Sequence, residues 1–331
     1  MKFKSWFFAS TVMFSLAAGA AAAQTLSTGS GQAYPGKPIR MIVPFPAGGG
    51  SDTMGRIIGN KLSERLGQPI VVENRTGAGG SIGADVVAKA APDGYTMLLG
   101  STSDMTQYPA VNPKVPYSTA RDFAPVALLG TIPLVLVVHP SLPVKTVKEF
   151  IALAKSRPGE INYASAGNGS TTHLAVELFV LTTQVRMTHV PYKGSPQAVM
   201  DLVAGNVQTG IPTMPAALPF INPGRVRALG VSTAKRAPVL PAVPSLQEAG
   251  VQGYDTALWT GLLVPAGTPR EIVSRLHTEI VNVLGLPDVK EALARQGAEP
   301  ASSTPEQFSA YMKSELAKWA KVVKEAGVRG D

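Results

Sequence analysis

Ile39-Arg40-Met41-Ile42-Val43-Pro44-Phe45-Pro46-Ala47-Gly48-Gly49-Gly50-Ser51-Asp52 runs from an apolar stretch through a proline-flanked turn and three glycines to a Ser-Asp pair. Residues 39–45 read as a buried strand. Beyond the glycines, Met54, Ile57, Ile58, Leu62 and Leu66 fall on one face of a helix that Gly67 ends. Strand, glycine loop and helix start in that order leave first-turn N–H groups unpaired, and such groups hold anions. Taken alone, the same pattern describes any capped strand-to-helix turn.

Working outward, strand and helix alternate. Residues 70–74 read as a second strand, Thr76 to Ser81 as a glycine-rich start to a helix reaching about Ala91, and 96–99 as a third strand opening into the polar loop Gly100-Ser101-Thr102-Ser103-Asp104. This alternation argues for a parallel sheet. The long apolar stretch 123–138, broken by Pro125 and Pro133, reads as a crossing to a second lobe. There the pattern recurs: 161–164 is a strand, Ser165-Ala166-Gly167-Asn168-Gly169-Ser170-Thr171-Thr172-His173 is a Gly/Ser/Thr loop, and a helix follows with Leu174, Leu178 and Leu181 on one face. A matched pair of such loops, one in each half, points to binding more strongly than either alone. Residues 187–192 and 207–211 read as further strands, and 198–203 as a helix between them. Residues 226–231 read as the return crossing, and 258–264 as a strand of the first lobe. Thr146 with Glu149 forms a capping box, Thr268-Pro269 and Thr304-Pro305 start the late helices, and these helices are expected to pack on the first lobe.

The chain has 331 residues, 45% hydrophobic and 16% charged, which fits a two-lobed globular protein. It has no cysteine, which excludes disulfides, thiolate chemistry and Cys-ligated metals. Lys2 and Lys4, the apolar run 6–20 and Ala21-Ala22-Ala23 read as a secretory signal with Gln24 as the expected mature start, and 24–33 reads as a flexible lead-in. Cleavage removes two of the 30 basic residues and none of the 22 acidic ones, leaving +6. No basic run of the kind nucleic-acid binding needs is present.

Several chemistries compete for individual residues. Gly79-Gly80-Ser81-Ile82-Gly83 matches a nucleophile elbow in letters, making an exported serine hydrolase using Ser81 the rival reading, although nothing pairs His139, His173, His189 or His277 with an orienting acid. The four histidines lack metal-ligand spacing, so no metal and no cofactor is expected. Asp52 is read as an N-cap that shapes its loop, His173 as a hydrogen-bonding residue at a helix start, and Tyr192 with Lys193 as an aromatic wall and a cation at a cleft rim.

The stretches Tyr34 to Arg40, Val43 to Gly49, Val72-Glu73-Asn74-Arg75, Gly77-Ala78-Gly79-Gly80 and Pro92 to Thr96 together carry a resemblance. Asp122 to Val126, Gly167 to His173, His189 to Gly194, Arg227-Ala228-Leu229, Glu248-Ala249-Gly250 and Pro265 to Pro269 continue it in order along the mature chain. On these residues the chain resembles the Bug-type (Bordetella uptake gene) receptors, the substrate-binding proteins of tripartite tricarboxylate transporters. The resemblance implies an α/β, two-lobe class II periplasmic-binding-protein (Venus flytrap) fold with a hinge. It implies capture of an organic carboxylate in the periplasm by a monomer that delivers it to membrane transporter subunits; a sensor for a signalling partner is the other receptor reading.

In such receptors the loops matching Phe45, Ala47, Gly48, Gly49, Ser51 and Asp52, and Ser165, Gly167, Asn168, Ser170, Thr171, Thr172 and His173, hold one carboxylate, partly through water. The far end of the ligand then meets Ser101, Thr102 and Ser103, Tyr192 and Lys193, and Thr213. Where many such receptors carry an acid after the strand matching 207–211, this chain has Pro212-Thr213, so a non-amino mono- or dicarboxylate, including an aromatic acid, is expected. Lobe one is expected at 34–125 with 232–331, and lobe two at 126–231.

Overall fold

Residues alternating between two apolar environments build the first sheet. In β1 (Ile39–Val43), Ile39, Met41 and Val43 enter one core with Met54, Ile58 and Leu62 of α1 (Gly50–Leu66), while Ile42 enters another with Ala84 and Val87 of α2 (Ser81–Ala88). A strand covered on both faces needs this unbroken apolar run. The computed structural model describes residues 34–295 and 297–329; the signal segment and lead-in expected at 1–33 lie outside the described residues.

The first sheet has the order β11-β4-β10-β3-β1-β2. Its members are β1, β2 (Ile70–Asn74), β3 (Thr96–Ser101), β4 (Phe123–Pro133), β10 (Ala257–Pro265) and β11 (Glu299–Pro300). Only β2, β1 and β3 are parallel; β10 runs antiparallel to both β3 and β4. The expected parallel sheet is therefore mixed, because β10 returns from the other half of the molecule. The second sheet has the order β7-β6-β8-β5-β9, built from β5 (Val135–Val138), β6 (Asn162–Ser165), β7 (Thr188–Pro191), β8 (Thr209–Gly210) and β9 (Arg227–Val231). One core lies on each of its faces, one around Phe150, Phe179 and Tyr254 and one around Val135, Val199 and Met214.

The passages between sheets differ from the expectation. β4 stays in the first sheet through Pro133 and β5 starts in the second at Val135, so the chain passes over there rather than at 125–126. On the return, Leu246, Val251 and Tyr254 still fill the second sheet's core although they follow Val231. Buried apolar side chains rather than strand ends keep this segment with the second sheet.

The late helices are α8 (Arg270–Gly285), α9 (Pro287–Arg295) and α10 (Pro305–Ala326). Thr304 and Gln307 form the expected capping box on α10. Thr268 does not cap α8; its hydroxyl donates to Pro265 O, and Pro269 is the N-cap. In α10, Phe308 is buried against the first sheet, where a Cβ on Gly261 would lie 2.1 Å from Phe308 Cζ, so only glycine lets the ring seat. Further along, Trp319, Val322 and Val323 bury with Val111 of α3 (Tyr108–Val111) and Leu174 of α5 (Thr171–Thr183). The last helix thus packs on both halves, not on the first alone. Among the described residues no helix is long and apolar enough to cross a membrane.

Candidate functional site

The glycine loop after β1 is shaped by one carboxylate. Asp52 is the third residue of α1, not its N-cap; Gly49 occupies that position with an extended backbone. Asp52 Oδ2 accepts from Gly48 N and Arg56 Nε, both at 2.9 Å, and Oδ1 accepts from Asn74 Nδ2 at 2.9 Å. Asn74 Nδ2 also donates to Phe45 O at 2.8 Å. Burial pushes the Asp52 carboxyl up, but Arg56, the Gly48 N–H and Asn74 together hold it below the usual carboxylate range. Its charge is turned back into the loop. Among the described residues, the first-turn N–H groups of Gly50, Ser51 and Asp52 are left without an acceptor, and so is the Ser51 hydroxyl. Ala47 and Gly48 are exposed, and Phe45 and Gly49 are half-buried beside them.

The loop between β6 and α5 spends its hydroxyls internally. Ser170 is the N-cap of α5 and accepts from His173 N at 3.2 Å. Thr172 Oγ1 accepts from Ala166 N at 2.8 Å, and Ser165 Oγ accepts from Gly167 N at 3.1 Å. Thr171 Oγ1 donates to Gln107 Oε1 at 2.7 Å. Asn168 Nδ2 donates to Arg329 O at 2.9 Å. Ser170 and Thr172 share one hydroxyl proton in a 3.2 Å bond, so among the described residues the donors left over are the other hydroxyl proton of that pair and the N–H groups of Thr171 and Thr172, the first two of α5. In both loops most of the side chains picked out by sequence build the loop, and the backbone of the helix N-terminus, with the Ser51 hydroxyl in the first loop and one hydroxyl proton of Ser170 or Thr172 in the second, is what remains to meet an anion.

Behind this second loop lies a stack. His173 and His189 rings are 3.9 Å apart at 6°, and Tyr163 lies 4.9 Å from His189 at 15°. Burial and mutual repulsion push His173 down to about 3, and burial pushes His189 down to about 4, so both rings are neutral near pH 7. His173 is buried at 4% exposure and touches its own loop, not the solvent side.

Ser101, Thr102 and Ser103 do not form an open loop. β3 runs through Ser101, and Ser103–Gln107 makes a π-helical turn, an arrangement common at functional sites. Thr102 Oγ1 accepts from Trp259 N at 2.8 Å, and Ser103 Oγ donates to Gly79 O at 3.1 Å. Ser101 N and Oγ both donate to Asp104 Oδ1, at 2.9 and 2.6 Å. Asp104 is fully buried, and burial pushes its carboxyl up to about 7; its Oδ2 has no partner. This turn borders both loops. A Cβ on Gly80, whose φ is +95°, would lie 2.8 Å from Asp104 Cβ and 3.1 Å from Phe45 Cζ, while Gln107 reaches Thr171. Sequence reasoning did not name Gln107, and it named His189 only as a histidine without an orienting acid and as part of the resemblance, not as a site residue. Gln107 gave no signal, because an irregular turn hides its periodicity; the pairing of His189 with Ser165 needed the β6–β7 register.

Tyr192 donates its hydroxyl to Asp201 Oδ2 at 2.7 Å and is half-buried, while Lys193 is exposed beside it. Thr213 is the N-cap of α7 (Met214–Ile221), a helix the sequence reading did not anticipate. A recess in the second half is lined by Ala164, Ser165, Thr172, Ser195, Val199 and Pro212, with no charged side chain. Ser81 opens α2 and bonds to no histidine: His139 pairs with Ser141, His277 with Ser303 O, and the other two belong to the stack. Among the described residues no three His, Asp or Glu cluster as a metal site.

A family model described as the tripartite tricarboxylate transporter family receptor matches residues 54–328. The chain belongs to this family. A UPF0065 protein of Pseudomonas sp. is 44% identical over 93% of this chain and 93% of its own length. BugT of Bordetella pertussis is 42% identical over 91% and 92%. Among solved receptors, R. palustris Rpa4515 with adipate superposes with a TM-score of 0.84 at 40% identity, covering 89% of this chain and 99% of that one. The periplasmic binding protein BugD gives 0.81 at 33% identity, covering 89% and 99%. MatC of Rhodopseudomonas palustris with bound malate gives 0.80 at 35% identity, covering 88% and 100%. The fold is that of the periplasmic binding proteins, with two sheets forming two lobes. Members of this family are solute-binding receptors and not enzymes, and membership implies the periplasm.

Proposed function

We propose that this receptor captures a small organic carboxylate without an amino group between the loops at 45–52 and 165–173. It then delivers the acid to the membrane subunits of a tripartite tricarboxylate-type transporter. The observation that carries the reading is the pair of helix N-termini, one with Gly49 and one with Ser170 at the cap, whose first-turn N–H groups stay unpaired among the described residues. Gly50, Ser51 and Asp52 of α1 and Thr171 and Thr172 of α5 offer five unspent backbone N–H groups. A carboxylate bridging the two helices gains from both dipoles, each worth about 0.3–1 kcal/mol. Such a ligand touches both lobes and stabilises the state in which they close on it.

No acidic side chain lines the recess by Ser195 and Pro212 to receive an ammonium, which supports a ligand without an amino group. The adipate and malate held by related receptors are acids without an amino group. We place the lobes by sheet membership, with passages near Pro133 and Thr256.

A thermal-shift series with malate, adipate, benzoate, aspartate and glutamate tests the reading. At about 100-fold excess over Kd, binding adds about 2.7 kcal/mol, a rise of several degrees in Tm. The expected result is a rise with at least one non-amino acid and none with the two amino acids. No rise with any of the five acids would overturn the carboxylate reading, and a rise with aspartate alone would overturn the exclusion of amino acids.

A further inference from the structure

The unspent N–H groups of the second loop exist because other polar groups there are occupied, and two histidines do the occupying. His173 Nδ1 accepts from Gly169 N at 3.0 Å. The ring therefore carries its proton on Nε2, which faces Glu177 Oε1 at 3.7 Å. His189 Nε2 pairs with Ser165 Oγ at 2.6 Å, and that same oxygen accepts from Gly167 N. The two rings come from different elements, α5 and β7, and lie face to face with Tyr163 of β6 beneath them. Tyr163 donates its hydroxyl to Glu177 Oε1, which closes the cluster at its far end.

We propose that His189 and His173 act as positioning residues of the second carboxylate loop. As a stacked pair they draw the Ser165 hydroxyl and the Gly167 and Gly169 N–H groups inward. The Thr171 and Thr172 N–H groups are left as the outward-facing donors. Without the pair, Gly169 N–H and Ser165 Oγ are free to turn out and compete for the anion, and the loop has no single donor geometry. The function of the pair rests on the carboxylate reading above; its effect on the loop does not.

Neutrality is part of the device. A protonated His173 presents N–H on both nitrogens, and its Nδ1–H would then oppose the Gly169 N–H. Burial holds both histidines neutral at ordinary pH, and the His189 ring adds to this for His173. The titratable groups facing the pair are Glu177 on α5 and Tyr163 on β6. Burial raises Glu177, so it does not draw a proton onto His173 as a fully charged carboxylate would.

Two variants separate positioning from simple packing. His189→Phe keeps a ring in the stack but loses the bond to Ser165; His189→Gln loses the ring but keeps an amide able to reach it. Amide hydrogen exchange by NMR is measured on the ligand-free full chain, and affinity for the acid selected by the thermal-shift series is measured by titration calorimetry. We expect the Gly167 amide to exchange at least 10-fold faster in His189→Phe while Gly169, held by His173, stays protected, with affinity down about 10-fold, and His189→Gln to recover most of both losses. Parent-like exchange in His189→Phe overturns the proposal and, with a loss in His189→Gln, marks the ring as packing alone; an equal loss in the two variants also overturns it, because the bond to Ser165 then does not set the loop. In the parent, nitrogen shifts of His173 must report the Nε2–H tautomer. If the parent binds no acid, the carboxylate reading fails by itself, while the exchange and tautomer measurements still decide whether the histidines position the loop.

Discussion

The first loop is organised by a charge and the second by neutral rings. Asp52 gathers Gly48, Arg56 and Asn74 around a carboxylate that stays ionised, and its ion pair with Arg56 reaches the surface. His173 and His189 gather Gly169 and Ser165 around imidazoles that stay uncharged, buried beneath the loop. Both solutions free the N-terminus of a helix, α1 in one case and α5 in the other. A turn can therefore be fixed by any acceptor that suits its surroundings. At the rim of a sheet an exposed arginine compensates a carboxylate; between β6, β7 and α5 a charge would be desolvated on every side, and a stacked neutral ring costs less.

Acid is the strongest way to break this symmetry. The histidines titrate near 6.5 when unfolded and at about 3 and about 4 when folded. Between those values the unfolded chain binds more protons, so stability is present above pH 6.5 and is lost as the pH falls below it. Glu177, raised by burial, takes up a proton more readily in the folded state and offsets part of the loss. The net loss from pH 7 to pH 5 is on the order of 3 kcal/mol, read by urea denaturation at each pH. Asp52 is lowered when folded, so its contribution persists through this window and declines only at more acid pH. A stability curve flat between pH 7 and 5 would contradict the neutral stack.

Asp52→Ala attacks the first loop directly. It strands the Gly48 N–H and the Asn74 amide, and the expected cost is about 2 kcal/mol of stability together with loss of acid binding. Denaturation midpoints and calorimetric titration at pH 7 check both, and the histidine tautomers should not change. Next in size is Ser170→Ala, which removes the cap of α5: about 1 kcal/mol of stability, with weaker acid binding as the first turn frays. Gln107→Ala is the mildest. It breaks the bond to Thr171 that ties the π-helical turn to the second loop, and about 0.5–1 kcal/mol is expected, seen as a small fall in Tm. A Gln107→Ala loss larger than that of Asp52→Ala would mean that the link between the loops, and not the loops themselves, governs the site.

Much of this site was legible from residue order. Gly49, Gly50, Ser51 and Asp52 after an apolar run, and Gly169, Ser170 and Thr171 after another, announce strand, loop and helix start, because glycine and capping residues have strong local preferences. The roles inside the loops were less legible. Ser165, Ser170, Thr171 and Thr172 read as ligand donors, and the structure adds that their hydroxyls also hold the loop together. Asp52 looked like a cap and is a brace three residues on. The stretch 101–104 looked like an open loop because it is polar; its polarity is instead satisfied internally by Asp104, Gly79 and Trp259.

The sequence by itself determined the alternation of strands and helices, the two Gly/Ser loops and the family, because these depend on local periodicity and on residues in a fixed order. Only the tertiary structure decided that β4 stays in the first sheet through Pro133, that α10 packs across both halves through Trp319 and Leu174, and that His189 lies under Ser165. Each of those depends on which surfaces meet after the chain has crossed between sheets, and a meeting of residues more than 20 positions apart leaves no period for the sequence to show.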